Sequence, residues 1–268
     1  MLQTLAQRIQ ETEVGNGCVV LFWLGQAGFA FKTSSARIAY IDPYLSDAVE
    51  HAFGFKRMMG CPISADEVAA DLVLCTHEHL DHLDTDALPV IARNNAAHFA
   101  GPRECVRIFR EIGIPEDRCH LLEEGKQIEV AGVYAAGMYA DHGDLAPDAI
   151  GIVLDFDGIK IYHTGDTAYR PREFQAAVRM QPDVLLPCIN GRYGNLNSEE
   201  AALLARDVNP RIVIASHFWM FVEHDGDPAA FLEHCARLAP GTQAMVMKPG
   251  ERYVYRKLVA PAAARSIA

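Results

Sequence analysis

The stretch Cys75-Thr-His-Glu-His-Leu-Asp-His-Leu-Asp84 places three histidines and three carboxylic acids directly behind the apolar run Asp71-Leu-Val-Leu. A solvated turn leaving a strand would normally take Gly, Asn, Ser or Lys. Three His and one Asp within positions 77–82 form instead the donor set of a divalent metal. If the chain stays extended past the apolar run, His77, His79 and Asp81 share a side by the period of two, and Glu78 and Leu80 face away. His82 joins them only if a helix begins near Asp81, and it then suits a second metal centre.

One short loop cannot close a coordination sphere, so further ligands are expected at other strand ends. His142 follows GVYAAGMYAD, Asp166 follows IKIYHTG, and His217 follows RIVIAS. Asp42 closes RIAYID ahead of Pro43, either as a turn-starting Asp or as a residue behind the ligands.

Around these points strands dominate first: CVVLFWL, GFAFK after the G-Q-A-G turn, and RIAYID. HAFGFKRMMGCP reads as a loop, and Ser64-Ala-Asp-Glu67 carries a capping-box pattern. DLVLC is a strand, and TDALPVIARNN and PRECVRIFREIG are helices around the strand AHFAG. KQIEV, GVYAAGMYA and the Asp-Gly hairpin IGIVLDFDGIKIYHTG return to β. Strands and helices alternate to the end, with helix starts at Asn197 and at Asp227-Pro228. Leu2, Leu5 and Ile9 recur at helical spacing near the beginning. Two β-then-βα halves with sheets inside and helices outside are expected, in one domain over 1–268.

Of the 268 residues, half are hydrophobic and 22% charged, an ordinary globular composition. The net charge of −11 repels a phosphate backbone, so nucleic acid is not the expected partner. Seven cysteines without a C-x-x-C pair read as reduced core residues of a cytoplasmic protein. The apolar stretch from Cys18 to Phe31 is broken by Gly25, Gln26 and Gly28, so no membrane span is expected.

The T-H-x-H-x-D-H run with later strand-end His, Asp and His resembles the metallo-β-lactamase fold superfamily. That resemblance implies an α/β, four-layer αββα sandwich of two mixed β-sheets with helices on the outer faces. It implies two divalent ions, zinc or manganese. His77, His79 and His142 would hold one ion, Asp81, His82 and His217 the other, with Asp166 bridging and Asp42 as the structural acidic motif behind them. GQAGFAF, DPYLSD, GDTAYR, INGRYGNLNSEEAA and SHFWMFVEHDGDPAAF resemble the ascorbate-6-phosphate lactonase-like branch.

The implied reaction is hydrolysis of a small anionic ester or lactone by metal-bound hydroxide, with Asp81 and Asp166 as the catalytic carboxylates. Arg192, between Gly191 and Gly194 ahead of a helix start, suits an anionic group, or is a solvated side chain of a plain turn. Tyr193, Asn195 and His224 are further candidates for substrate contact, and His163 for a packed position behind the ligands. His51, His98, His120 and His234 carry no partner pattern.

Phosphodiester or RNA processing would use the same ligands but should add a basic surface. Diiron redox relatives carry a carboxylate at the position of His79. A non-catalytic metal-binding protein would leave gaps in the ligand set. The partner expected is a small anionic substrate, and a homo-oligomer is left open.

Overall fold

The computed structural model describes residues 3–257, so Leu2 and Leu258, which extend the first apolar spacing and the last apolar run, lie outside the described residues. Its first half lays down β1 (Cys18–Gly25), β2 (Gly28–Thr33), β3 (Ile38–Ile41), β4 (Leu72–Leu74), β5 (His98–Gly101) and β6 (Cys119–Leu121). The second half contributes β7 (Gln127–Val130), β8 (Val133–Tyr139), β9 (Ile150–Phe156), β10 (Ile159–His163), β11 (Val184–Leu186), β12 (Ile212–Ile214) and β13 (Gln243–Met245). A last strand, β14 (Arg252–Arg256), returns to the edge of the first sheet beside β1.

The strand orders are β14-β1-β2-β3-β4-β5-β6 and β13-β12-β11-β10-β9-β8-β7. In both sheets antiparallel hairpin strands give way to a parallel run, from β3 to β6 and from β10 to β13. This is the β-then-βα pattern repeated twice, and it makes both sheets mixed.

The period of two decides what each strand buries. From β1, Val19, Leu21 and Trp23 enter the core shared by the two sheets. Val20, Phe22 and Leu24 face the opposite way, into a core with α1 (Leu5–Glu11), α3 (Leu88–Asn94) and α4 (Arg103–Glu111). With both faces covered, β1 is buried at all eight positions, which is why its sequence is a continuous apolar run. On the second sheet, α5 (Gln175–Met180), α6 (Ser198–Val208) and α7 (Pro228–Leu238) supply the outer layer, with Leu204, Val208 and Phe231 in its core. Four layers, αββα, result.

Asn197 caps α6 with a complete capping box, and Asp227 caps α7 ahead of Pro228. Ser64 does not cap a helix. Its hydroxyl turns to the Asp66 carboxylate, and residues 65–67 form a single 3-10 turn. The segment expected as a loop from His51 begins inside α2 (Ala48–Phe53), which Gly54 ends in a left-handed conformation (φ 78°). Among the described residues, no helix is long and apolar enough to cross a membrane.

Candidate metal centre

β4 ends at Leu74, and the chain then bends rather than running on extended. His79 C=O accepts from the backbone N–H groups of His82 (2.9 Å) and Leu83 (2.7 Å), closing a tight turn over 79–83. That turn corrects the expectation of one extended face. His77 and His79 bring their ring nitrogens within 3.0 Å of each other, while His82 Nε2 lies beside Asp81 and His217. No helix begins at Asp81; α3 starts at Leu88. In between, Asp84 accepts five hydrogen bonds, from Leu45 N–H, Ser46 N–H, Ser46 Oγ, Asp86 N–H and Ala87 N–H. It pins the loop after β3 to the ligand loop, a role the sequence reading missed.

The other expected residues arrive from strands whose C-terminal ends share an edge. β3 and β4 are parallel neighbours and deliver Asp42 and the His77–His82 loop. β8, β10 and β12 run in one direction and deliver His142, Asp166 and His217. Direct bonds lock these loops together: Thr76 C=O accepts from Ile150 N–H (3.0 Å), and Gln26 C=O from His217 N–H (2.8 Å). Gly165, at φ 60°, sits so close that a Cβ there would lie 2.9 Å from Ile150 O and 3.0 Å from the Thr76 Cβ. Only glycine lets the Asp166 loop reach the His77 loop.

Two groups of donor atoms form. In the first, His77 Nε2 and His79 Nδ1 are 3.0 Å apart, and His142 Nε2 is 3.3 Å from His79 Nδ1. In the second, His82 Nε2 and His217 Nε2 are 3.1 Å apart, and Asp81 Oδ2 lies 3.6 and 3.4 Å from them. Asp166 stands between the groups. Its Oδ1 is 3.4 Å from His82 Nε2 and 3.2 Å from His217 Nε2, and its Oδ2 is 3.8 Å from His142 Nε2.

The far nitrogens show which tautomers the fold imposes. His82 Nδ1–H donates to Asp42 Oδ2 (2.8 Å), leaving the Nε2 lone pair toward the cluster. Thr76 Oγ1 gives its proton to Asp42 Oδ2 (2.7 Å), so it accepts from His77 Nδ1–H (3.1 Å) and frees His77 Nε2. His79 Nε2–H donates to Leu145 C=O (3.1 Å), freeing Nδ1. Three imidazole lone pairs are thus aimed inward.

The cluster calls for a cation. Asp166 Oδ1 is buried without a hydrogen-bond partner. Burial raises the Asp81 and Asp166 carboxyls, but the imidazoles of His82 and His217 outweigh it and hold both well below the usual range. Burial pushes His217 down, and the Asp166 and Asp81 carboxylates more than compensate, leaving it at about 9. Burial, followed by neighbouring imidazoles, pushes His77 down as a neutral ligand. Without a metal, protons must offset two buried carboxylates. A divalent ion does so directly and satisfies the inward lone pairs, so the donor set fits the group.

Other expected residues sort differently. Asp42 is fully buried and touches Thr76 and His82 without joining the donor atoms. His163 donates Nε2–H to Ala27 C=O (2.8 Å) and accepts from Gly165 N–H at Nδ1 (3.1 Å), tying the G-Q-A-G turn to the Asp166 loop. Asn195, expected at the substrate, donates to Asp166 Oδ2 (2.6 Å) and orients that carboxylate. Arg192, expected to hold an anion, pairs with Asp225 (Nε to Oδ2, 2.6 Å) at the surface and does not line the cleft. Tyr193 and His224 do line it.

His98 and His120 meet each other across β5 and β6 at 2.9 Å, far along the sheet from the ligand loops. His51 lies 3.6 Å from Asp86, and His234 lies beside Glu199 and Arg237.

Gln26 was not singled out in the sequence. It is fully buried, at φ 51° between β1 and β2, and its Nε2 lies 2.6 Å from Asp81 Oδ2, 3.2 Å from His224 Nδ1 and 3.3 Å from His217 Nε2. The available signal was one polar amide inside an otherwise apolar run, since a buried amide needs partners.

The family described as beta-lactamase superfamily domain matches residues 20–217. A UPF0173 metal-dependent hydrolase from Caldivirga maquilingensis is 30% identical over 242 residues, spanning 86% of this chain and 96% of the relative. Another, from Herpetosiphon aurantiacus, is 27% identical over 243 residues, spanning 87% and 96%. Among solved structures, a metallo hydrolase from the hyperthermophilic archaeon Ignicoccus hospitalis is similar at 26% identity and a TM-score of 0.71, covering 90% of this chain and 100% of that one. With two mixed sheets, helices outside and the donor cluster at their common edge, the chain belongs to the beta-lactamase superfamily, among its metal-dependent hydrolases.

Proposed function

We propose that the chain hydrolyses an ester or lactone bond of a small molecule, with two divalent ions, zinc or manganese, as its cofactors. His77, His79 and His142 would hold one ion, Asp81, His82 and His217 the other, and Asp166 would touch both. The observation that carries this reading is the position of the Asp166 carboxylate, with Oδ1 turned to His82 and His217 and Oδ2 toward His142. Divalent ions bound there supply Lewis acidity for the scissile carbonyl and lower the pKa of water toward neutrality.

The chain's own residues have separable tasks. Asp81 lines the cleft with its side chain 15% exposed, so its carboxylate can take a proton and pass it to the leaving oxygen. Gln26 Nε2–H orients that carboxylate through the 2.6 Å bond. Burial and the neighbouring His217 push His224 down to about 4, so it is neutral at pH 7. With Nδ1 accepting from Gln26, His224 keeps its proton on Nε2 as a donor for a substrate oxygen. Asn195 holds Asp166 in place.

The bond type rests on the resemblance to the ascorbate-6-phosphate lactonase-like branch. Among the described residues lining the cleft there is no Lys or Arg to hold a charged group remote from the ions, which disfavours a sugar-phosphate tail. Seven free cysteines, five of them buried, are in keeping with a cytoplasmic site of action.

The test is a panel of esters, lactones and phosphodiesters offered to protein purified without chelator and supplied with Zn²⁺ or Mn²⁺. Ester or lactone turnover that disappears on chelation and returns with metal is the expected result. Turnover of phosphodiesters alone would overturn it.

A further inference from the structure

The cleft that opens onto the donor cluster has a volume of about 400 Å³, and its composition is unlike that of a sugar-phosphate site. Val49, Phe53, Phe55, Leu80, Leu145 and Phe221 form most of its wall. The aromatic part is continuous from mouth to floor. Phe53 and Phe55 have ring centroids 6.3 Å apart, Phe55 and Phe221 6.4 Å, and Phe221 and His224 5.0 Å. His224 then stacks on His217 at 4.9 Å, so the wall ends against the second donor group. At the mouth, Phe53 is 64% exposed and Leu145 53%, a costly surface for a soluble wall with nothing to cover.

The charges around the cleft reinforce the point. Glu78, Asp81 and Asp166 line it, and no Lys or Arg does among the described residues. The two guanidiniums on adjoining loops are committed elsewhere. Arg192 pairs with Asp225. Arg57 donates to the carbonyls of Ser46 (2.7 Å) and Met59 (3.2 Å) and lies over the Tyr44 ring at 4.5 Å. Away from the ions, which would offset Asp81 and Asp166, a negatively charged tail would meet Glu78 and the rings with no Lys or Arg beside it, whereas an uncharged apolar tail would cover exposed rings.

We propose that the substrate is uncharged and carries an apolar alkyl or aryl tail, which lies along the Phe53–Phe55–Phe221 wall while its carbonyl faces the donor cluster. The identity of the reacting bond rests on the hydrolase reading above; the tail preference rests on the cleft alone.

Binding and turnover separate the two. Methyl ketones of increasing chain length cannot be hydrolysed, and their binding to the metal-loaded protein can be followed by calorimetry. Affinity should rise about three- to fourfold per added methylene until the cleft is filled. A sulfonate at the end of the same chain should weaken binding at least about tenfold. Phe53→Ala and Leu145→Ala, both at positions more than half exposed, should each flatten the chain-length dependence while leaving the melting temperature near that of the parent. Neutral esters of the same chain lengths should show a parallel rise in kcat/KM.

Ketone affinity independent of chain length, or sulfonated chains bound as tightly as neutral ones, would overturn the proposal even if esters are hydrolysed. A chain-length dependence without hydrolysis of any ester or lactone would uphold the apolar ligand class and remove the ester reading instead.

Discussion

His82 Nδ1 lies 2.8 Å from Asp42 Oδ2, and both side chains are completely buried. Asp42 also accepts from Thr76 N–H (2.8 Å) and Thr76 Oγ1 (2.7 Å), so one carboxylate fixes both the strand end and the tautomer of two inward-facing imidazoles. Outer partners of this kind typically contribute about 10–100-fold to metal affinity. Asp42→Asn should lower the affinity of the Asp81/His82/His217 group, which it touches directly, by about that factor, and lower that of the His77/His79/His142 group, reached only through Thr76, by less. Metal titration with elemental analysis reads both, and equal loss at the two groups would count against it.

Asp166 is the residue placed against both groups. Asp166→Ala should reduce retained metal at both, and activity with it. Retention of one full equivalent with parental affinity would show that Asp166 serves one ion only.

Gln26 donates to Asp81 in a fully buried setting. A hydrogen bond to a charged group contributes about 1.5–3 kcal/mol, so Gln26→Leu should cost about ten- to a hundredfold in kcat. Metal retained by the His77/His79/His142 group should not change. An unaltered kcat would mean that Asp81 needs no orientation from this amide.

Arg192 and Asp225 are each more than half exposed, and such pairs contribute about 0–1 kcal/mol. Arg192→Ala should leave the melting temperature near that of the parent and kcat/KM for neutral and anionic substrates within about twofold. A loss confined to anionic substrates would place the guanidinium at the substrate after all.

Removal of the metal should expose a dependence on pH. His217 in the folded chain is held at about 9, above its ordinary 6.5. A raised folded-state value adds stability that is fully present below the unfolded value and is lost as pH rises through the folded one. Chelated protein should therefore melt at a lower temperature at about pH 9.5 than at about pH 6.5, while metal-loaded protein, in which an ion would take the place of the His217 proton, should show a smaller decline. Identical profiles for the two forms would contradict the cation-seeking character of the cluster.

The sequence by itself determined the local and periodic features. Continuous apolar runs such as Cys18–Gly25 announced strands, and Asn197 and Asp227-Pro228 marked helix starts that the structure keeps. The donor residue types at strand ends, His77 through His217, were legible because seven such groups at those points have few other uses. Tertiary structure alone decided direction and company. Whether Asp81 follows His79 or turns away depends on the 79–83 turn, which the period of two does not encode.

Arg192 meets Asp225, Asn195 meets Asp166 and Gln26 meets Asp81 across 33, 29 and 55 residues of chain. The tail-binding wall joins Phe53 and Phe55 to Phe221 in the same long-range way. Side-chain partners at such separation are chosen by how two sheets pack and which strand ends share an edge. Composition and spacing carry the chemistry of each residue; only the packed chain fixes which neighbour that chemistry meets.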